Sequence, residues 1–402
     1  MGETLAVVTP WYPAPNKPFQ GSFVQSHVEA VRDLFERVDV LHTEDWTVPT
    51  DRIARRAVPR AYAGLVSRAV RPKEHGGVRV IRIPSLVVPR RPWHEHTRAV
   101  ERSFVLATAG RPIDADVVHA HVGLTGGWIA TRHAAPGTRV FVSEHASFLA
   151  DVLADPLARA MYDEVIERCT AFLCVSDVLR GQVRDAFPHH DAKLHVVPNA
   201  VALDRIPMRP EPPRHPRRWL FVGSFIDRKG PLRLLEAFAL CHLDDPDLRL
   251  TLVGGGAQQD QLLRRSAELG LEAAVRVLGA VPPRQITSLL HEHDVLVHPS
   301  RHETFGLTPI EAIATGTPVM IARYAAAEEV LRGIDQAAGE LFPVGNGCVE
   351  IVEAYRRLQR RFGDLDVTRA RDALRDRFGY AAVAQILSRY YFDAIPPATE
   401  TR

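Results

Sequence analysis

Short, near-continuous apolar runs recur along the chain, separated by stretches whose apolar positions repeat every three to four residues. TLAVVT at 4–9, VDVLH at 38–42, VRVIRI at 78–83, DVVHAH at 116–121, RVFVSEHASF at 139–148 and AFLCVS at 171–176 have the length and composition of strands buried on both faces. Helical periodicity predicts helices from about Phe23 to Glu36, from about Thr125 and near 154–168. A second series opens with WLFVGSF at 219–225 and continues through LRLTLVGGG at 248–256, VRVLGAVP at 275–282, VLVH at 295–298, PVMIA and ELFPV. Helix patterns such as LRLLEAFAL and IEAIA lie between these runs, and helices at about 326–331, 347–361, 366–377 and 380–392 follow. Alternating strands and helices, in two series, predict an α/β protein with two parallel sheets.

The break between the series is DRIPMRPEPPRHPRR at 204–218, where Pro207, Pro210, Pro212, Pro213 and Pro216 fall close together. Prolines at that density make a stiff spacer. The expected division is a first domain at 1–203, a linker at 204–217, a second domain at 218–378 and a C-terminal helix and tail at 379–402. A chain of 402 residues suits two cores rather than one.

Composition narrows the partners. Fifty basic residues nearly cancel 48 acidic ones, which does not favour nucleic acid as a partner. No run approaches the ~20 apolar residues of a membrane span, and MGETLAVVTPWYP lacks the basic flank of an export signal. Cys169, Cys174, Cys241 and Cys348 form no CxxC pair, so the expected setting is reducing and cytoplasmic, with no structural zinc. One stretch stands apart: 51–73 carries seven basic residues and one acidic one, interleaved with Ile53, Val58, Tyr62, Leu65, Val66 and Val70. It offers peripheral contact to an anionic acceptor or to the inner face of the plasma membrane, or it is a solvated face whose apolar side packs on its own domain. Pro59 interrupts any single long helix there.

The chemistry concentrates in HPSRHETFGLTPIEAIATGTPV, 298–319. A polar loop here leaves the carboxyl end of a strand, where open α/β sheets bind ligands, and enters a helix whose first amides attract anions such as phosphate. Glu303 on the loop suits sugar hydroxyls, and Glu311 in the helix suits a second diol such as that of a ribose. Alternatively Thr308, Pro309 and Glu311 form a capping box, with Glu311 purely structural. Gly21 and Ser22 precede the first helix, either letting a ligand approach the backbone or making a turn with Ser22 as cap. His145, at a strand's carboxyl end, is placed to hydrogen-bond a sugar hydroxyl or phosphate. Lys229 is one of only four lysines in the chain, a compact charge suited to phosphate. The glycines at 254–256 permit close approach of a ligand or simply turn.

Glu303 and Glu311, with Phe305 and Gly306 between them and ATGTPV after, resemble the donor-site signature of glycosyltransferase family 4. That family consists of retaining enzymes of the GT-B fold, two facing Rossmann-like domains with a cleft between them. The resemblance covers most of the chain, most strongly 219–330 and least 43–110. It implies a diphosphate-binding turn at Gly223, Lys229 and Gly230, with Ser224 where arginine is common and Arg228 as a candidate replacement. It also implies that the first domain takes the acceptor and the second the nucleotide sugar, with a seat for the donor base in VRVLGAVP and a last helix that returns to the first domain through Tyr390, Tyr391 and Phe392. The function implied is retaining transfer of a hexosyl group from a nucleotide-diphosphate sugar to a hydroxyl acceptor, whether a polysaccharide, a glycolipid or a small-molecule glycoside. By the same resemblance His145, Lys229 and Glu303 carry catalysis. Gly21, Gly223, Arg228, Lys229, Glu303, Phe305, Gly306, Leu307 and Glu311 hold the donor, and neither a cofactor nor a metal is needed, as no clustered metal ligands stand out. A nicotinamide-dependent oxidoreductase would need a glycine fingerprint that neither opening strand offers. A sugar-nucleotide epimerase or a catalytically silent nucleotide-sugar binder of the same fold remains an alternative.

Overall fold

The computed structural model describes residues 2–395 apart from 15, 16, 19, 48–59, 61, 65 and 67–71. Most of the basic stretch at 51–73 therefore lies outside the described residues. The chain divides into two compact units, Met1–Ala200 with Val383–Arg402, and Val201–Ala382.

The first unit is built on β1 (Thr4–Thr9), β2 (Arg37–Thr47), β3 (Lys73–His75), β4 (Val78–Val87), β5 (Val117–His121), β6 (Arg139–Glu144), β7 (Ala171–Cys174) and β8 (Leu194–Val196). They hydrogen-bond in the order β3-β4-β2-β1-β5-β6-β7-β8. All neighbours are parallel except the short edge strand β3, which runs antiparallel to β4. Strands β5, β6 and β7 are buried almost throughout, apolar at most positions but carrying His119, His121, Ser143 and Glu144 inside as well. Strand order reverses direction between β1 and β5, the switch point at which such sheets open a crevice at their carboxyl ends.

Two features depart from the sequence expectation. The tail of β2, Glu44–Thr47, is polar in sequence but is carried as strand by pairing with Pro84–Val87 of β4. A helix at Trp93–Thr108 was not anticipated; its apolar face, Val100 and Phe104 among others, is buried. The helix Tyr380–Phe392 brings Tyr391 into the first unit's core, where its hydroxyl lies 3.0 Å from His27 Nε2 and 2.5 Å from His119 Nδ1.

The second unit contains β9 (Arg218–Val222), β10 (Arg249–Val253), β11 (Val275–Gly279), β12 (Val295–His298), β13 (Val319–Ala322) and β14 (Gly339–Phe342), all parallel in the order β11-β10-β9-β12-β13-β14. Its switch point lies between β9 and β12. The proline-rich segment is held against this unit rather than spanning solvent: Arg209 donates from its backbone to Thr315 O at 2.9 Å and from its guanidinium to the carbonyls of His293 and His291 at 2.9 and 3.0 Å.

Candidate active site

In the second unit the loops leaving β9 and β12, neighbours at the switch point, are stitched together. Arg301 N donates to Arg228 O at 2.9 Å, and Arg228 Nη1 donates back to His302 O at 2.5 Å. This brings Lys229 and Glu303, 74 residues apart, into direct contact: Lys229 Nζ donates to Glu303 Oε1. Arg228 Nη1 stands 3.8 Å from the other carboxylate oxygen, and His298 Nε2 lies 3.3 Å from Oε1. Burial alone would push the Glu303 carboxyl up. The contact with His298 and the charge of Lys229 outweigh it and hold the group well below the usual carboxylate range. His298 ends β12, is buried, and escaped the sequence reading because one histidine closing an apolar strand carries no motif. Gly223 sits at the carboxyl end of β9, where an added Cβ would meet the Phe221 ring at 3.3 Å and approach Lys229 Cδ at 4.0 Å. Ser224 beside it is exposed.

The helix beyond Glu303 runs Leu307–Ala314, and its N-cap is Gly306 at φ 93°, with no side-chain cap. A Cβ on Gly306 would fall 2.6 Å from the Tyr324 hydroxyl. This corrects the capping-box alternative: Thr308 is already inside the helix and Pro309 is its third residue, so Glu311 is not at a capping position. The amides of Leu307 and Thr308 have no intrahelical acceptor and lie at the positive end of the helix. Phe305 turns its ring inward, buried and edge-on to Phe378 at 5.2 Å, so only its backbone is available to a ligand. Glu311 is half-buried, and loss of water around its carboxyl raises its pKa to about 7. Among the described residues no ion pair or side-chain hydrogen bond offsets this. The two glutamates of one loop and helix are thus driven in opposite directions, the pattern of a site rather than of a solvated surface.

Gly21 and His145 belong to the first unit. Gly21, at φ 74°, is itself the N-cap of the helix Ser22–Val31, which removes Ser22 from the capping role. An added Cβ there would lie 2.2 Å from Trp11 O, so only glycine fits. His145 directly follows β6, half-buried, its Nε2 sharing a 2.9 Å hydrogen bond with His121 Nδ1 and its ring 4.5 Å from that of Phe23. Burial, and after it the His27 charge, push its pKa down to about 3, so the imidazole is neutral at pH 7. Its backbone is fixed by Glu144, the last residue of β6. One Glu144 oxygen accepts from the amides of His145 and Ala146 at 2.7 Å each, and the other from Gly123 N at 2.9 Å and the Tyr162 hydroxyl at 2.7 Å.

The fold also assembles clusters that no sequence spacing announces. His27, His119 and His121 lie close enough to share a metal ion, as do Asp163, His189 and His190. This corrects the expectation that potential metal ligands are not clustered. In the first group the rings of His119 and His121 are stacked with planes only 3° apart, so their in-plane lone pairs run parallel rather than converging. Hydrogen bonds to the Tyr391 hydroxyl already occupy His27 and His119. The four cysteines are unbridged.

Two units, each built on a largely parallel sheet with helices between the strands, define an α/β protein, and solved structures share this fold. Sucrose-phosphate synthase from Thermosynechococcus elongatus superposes with a TM-score of 0.72 at 19% identity, covering 97% of this chain and 98% of its own. Anabaena HepE, solved with UDP and glucose, superposes with a TM-score of 0.69 at 16% identity, covering 97% and 99%. These neighbours have the GT-B fold, and the chain shares it. The family model for glycosyltransferase family 4 matches residues 53–205, and that for glycosyl transferases group 1 matches residues 205–358. The chain belongs to the group 1 glycosyltransferases and is a transferase enzyme. Among curated relatives, the glycogen synthase of Mycobacterium tuberculosis is 25% identical over 296 residues, 69% of each chain. The D-inositol 3-phosphate glycosyltransferase of Corynebacterium glutamicum is 33% identical over 219 residues, 52% of this chain and 51% of that one. Among the described residues no helix is long and apolar enough to cross a membrane.

Proposed function

We propose that the protein transfers a hexosyl group from a nucleotide-diphosphate sugar to a hydroxyl acceptor with retention of anomeric configuration, in the cytoplasm and without a metal ion or further cofactor. The observation that carries this reading is the cluster of Lys229, Arg228, His298 and Glu303 beside the open amides of Leu307 and Thr308. Lys229 and those amides supply positive charge for a leaving diphosphate, held in place before charge develops. Glu303, kept ionised, suits the hydroxyls of the donor sugar, and Glu311 suits the ribose diol. Gly223, Gly306 and the backbone at Phe305 and Leu307 allow the diphosphate close approach. Binding of UDP and UDP-glucose by Anabaena HepE supports a nucleotide-sugar donor. In the reaction the bond between anomeric carbon and phosphate oxygen breaks, the acceptor oxygen bonds to that carbon, and the acceptor proton passes to the departing phosphate. His145, neutral, orients a hydroxyl rather than removing a proton.

The reading is tested by incubating the protein with nucleotide sugars and acceptors in EDTA and following the anomeric proton by NMR. Product with the donor's anomeric configuration, formed at an undiminished rate, is expected. An inverted product overturns retention, activity recovered only with magnesium or manganese overturns the metal-free account, and epimerised donor without transfer favours an epimerase.

A further inference from the structure

The first unit carries a second group of convergent side chains, at the other end of its sheet from His145. The helix Pro156–Arg168 runs back toward the start of β7, and the short helical turn Pro188–Lys193 leads directly into β8. Both therefore approach the amino ends of strands that run parallel to β6, whereas His145 stands just beyond the carboxyl end of β6. The helix supplies Asp163, and the turn supplies His189 and His190.

Contacts in which none of these three takes part hold the turn on the helix. Lys193 Nζ donates to the carbonyls of Ile166, Glu167 and Cys169 at the helix end. Phe187, just before the turn, lies flat on Tyr162 of the helix, with ring centroids 5.6 Å apart and planes 6° apart. The Arg159 guanidinium sits 5.0 Å from the Phe187 ring. Arg180 donates to Asp191 Oδ1 at 2.8 Å and to Leu194 O at 2.9 Å, fixing the other end of the turn.

On this frame both imidazoles aim Nε2 at one carboxylate oxygen, Asp163 Oδ1, at 2.8 Å from His189 and 3.0 Å from His190. Their ring planes are 44° apart, so the two nitrogens meet one point from different directions, unlike the parallel rings of His119 and His121. As hydrogen bonds these contacts need a proton on each Nε2. A divalent cation entering among the three atoms displaces both protons and gains two imidazole lone pairs and a carboxylate. The ligand atoms all lie within 4.8 Å of one another, and the His189 side chain, 60% exposed, is free to close the remaining distance to bonds of about 2 Å.

We propose that Asp163, His189 and His190 form a binding site for a divalent transition ion of the zinc class. Two imidazoles with one carboxylate suit zinc, nickel or copper, whereas magnesium and calcium take shells of oxygen. Water completes the shell on the open side. The ion ties the helix before β7 to the turn before β8, so it acts on the stability of the first unit and not on the transfer reaction.

Calorimetric titration of the untagged, metal-stripped full chain with zinc chloride and magnesium chloride at pH 7.5 tests it. One zinc per chain is expected and no magnesium, with zinc affinity falling about tenfold or more in His189→Ala and in Asp163→Asn. Zinc should raise the melting temperature of the parent more than that of His189→Ala, because an ion held by the folded site stabilises it. Copper loaded in place of zinc identifies the ligands: its electron paramagnetic resonance spectrum should show nitrogen couplings from two imidazoles in the parent and from one in His189→Ala. No binding at about 0.1 mM zinc, equal zinc affinity in parent and variants, or a copper spectrum unchanged by His189→Ala overturns the inference.

Discussion

Replacing Glu311 by glutamine separates what its carboxylate costs the fold from what it contributes to binding. Burial raises the pKa of this group from 4.5 to about 7. The folded protein therefore keeps the proton up to about pH 7, whereas the unfolded chain releases it near 4.5. Between those values the folded state binds more protons, so stability falls as pH rises through that window and stays lowered above it. Each tenfold change in proton affinity is worth about 1.4 kcal/mol, which sets a ceiling of ~3 kcal/mol, and about half of that remains once water reaching a half-buried group is allowed for. Glutamine has nearly the same volume and no charge. At pH 8 the variant should be about 1–2 kcal/mol more stable than the parent, and near pH 4.5 the two should coincide. Nucleotide binding should move the other way, because charge-assisted bonds to a ribose diol become neutral ones, a loss of about 1–3 kcal/mol. Urea unfolding at pH 5, 6, 7 and 8, followed by circular dichroism, reads the first effect, and calorimetric titration with UDP and GDP at pH 8 reads the second. Unchanged affinity with lowered stability at pH 8 would refute the reasoning and make Glu311 a structural group.

Lys229→Ala removes the cation that meets Glu303, so the Glu303 pKa should rise and turnover should fall about 100-fold or more, mainly in kcat; near-parental turnover would shift the role to Arg228. Gly306→Ala places a Cβ 2.6 Å from the Tyr324 hydroxyl at φ 93° and should cost about 1–3 kcal/mol in denaturant unfolding. A change within about 0.5 kcal/mol would mean that Tyr324 moves aside freely.

The sequence exposed the parts of this molecule that depend on local pattern. Unbroken apolar runs such as VLVH and AFLCVS announce buried strands, because no solvent face has to be provided. The tail of β2 and the edge strand β3 were not legible, since polar residues there become strand only by pairing with β4. The limit at Glu311 is similar: Thr308, Pro309 and Glu311 read as a capping box along the string, yet the left-handed Gly306 starts the helix two residues before the expected first turn. Glu303 and Lys229 were recognisable singly, but their contact across 74 residues follows from the adjacency of β9 and β12, which no local pattern encodes. The pairing of Glu144 with Tyr162 and the gathering of His27 with His119 and His121 were hidden for the same reason.

That contact bears on how a donor would be read. Lys229 has one ammonium and, in the proposed reaction, two claimants: the Glu303 carboxylate and the donor diphosphate. Arg228 does not straightforwardly take the phosphate contact that Ser224 lacks, because its guanidinium donates to His302 O and stands 3.8 Å from Glu303. If Lys229 turned to the diphosphate, Glu303 would retain Arg228 and His298, enough positive character to stay ionised, and would gain a free oxygen lone pair for the sugar hydroxyls. Diphosphate binding would thereby prepare the sugar site, and the two halves of the donor would bind cooperatively through one displaced ion pair. On this argument Arg228 serves Glu303 rather than the phosphate, and Arg228→Ala should weaken recognition of the donor sugar more than binding of the nucleoside diphosphate alone. Competition titrations with UDP against UDP-glucose, and GDP against GDP-mannose, separate the two, and an equal loss for nucleotide and nucleotide sugar would place Arg228 on the phosphate after all.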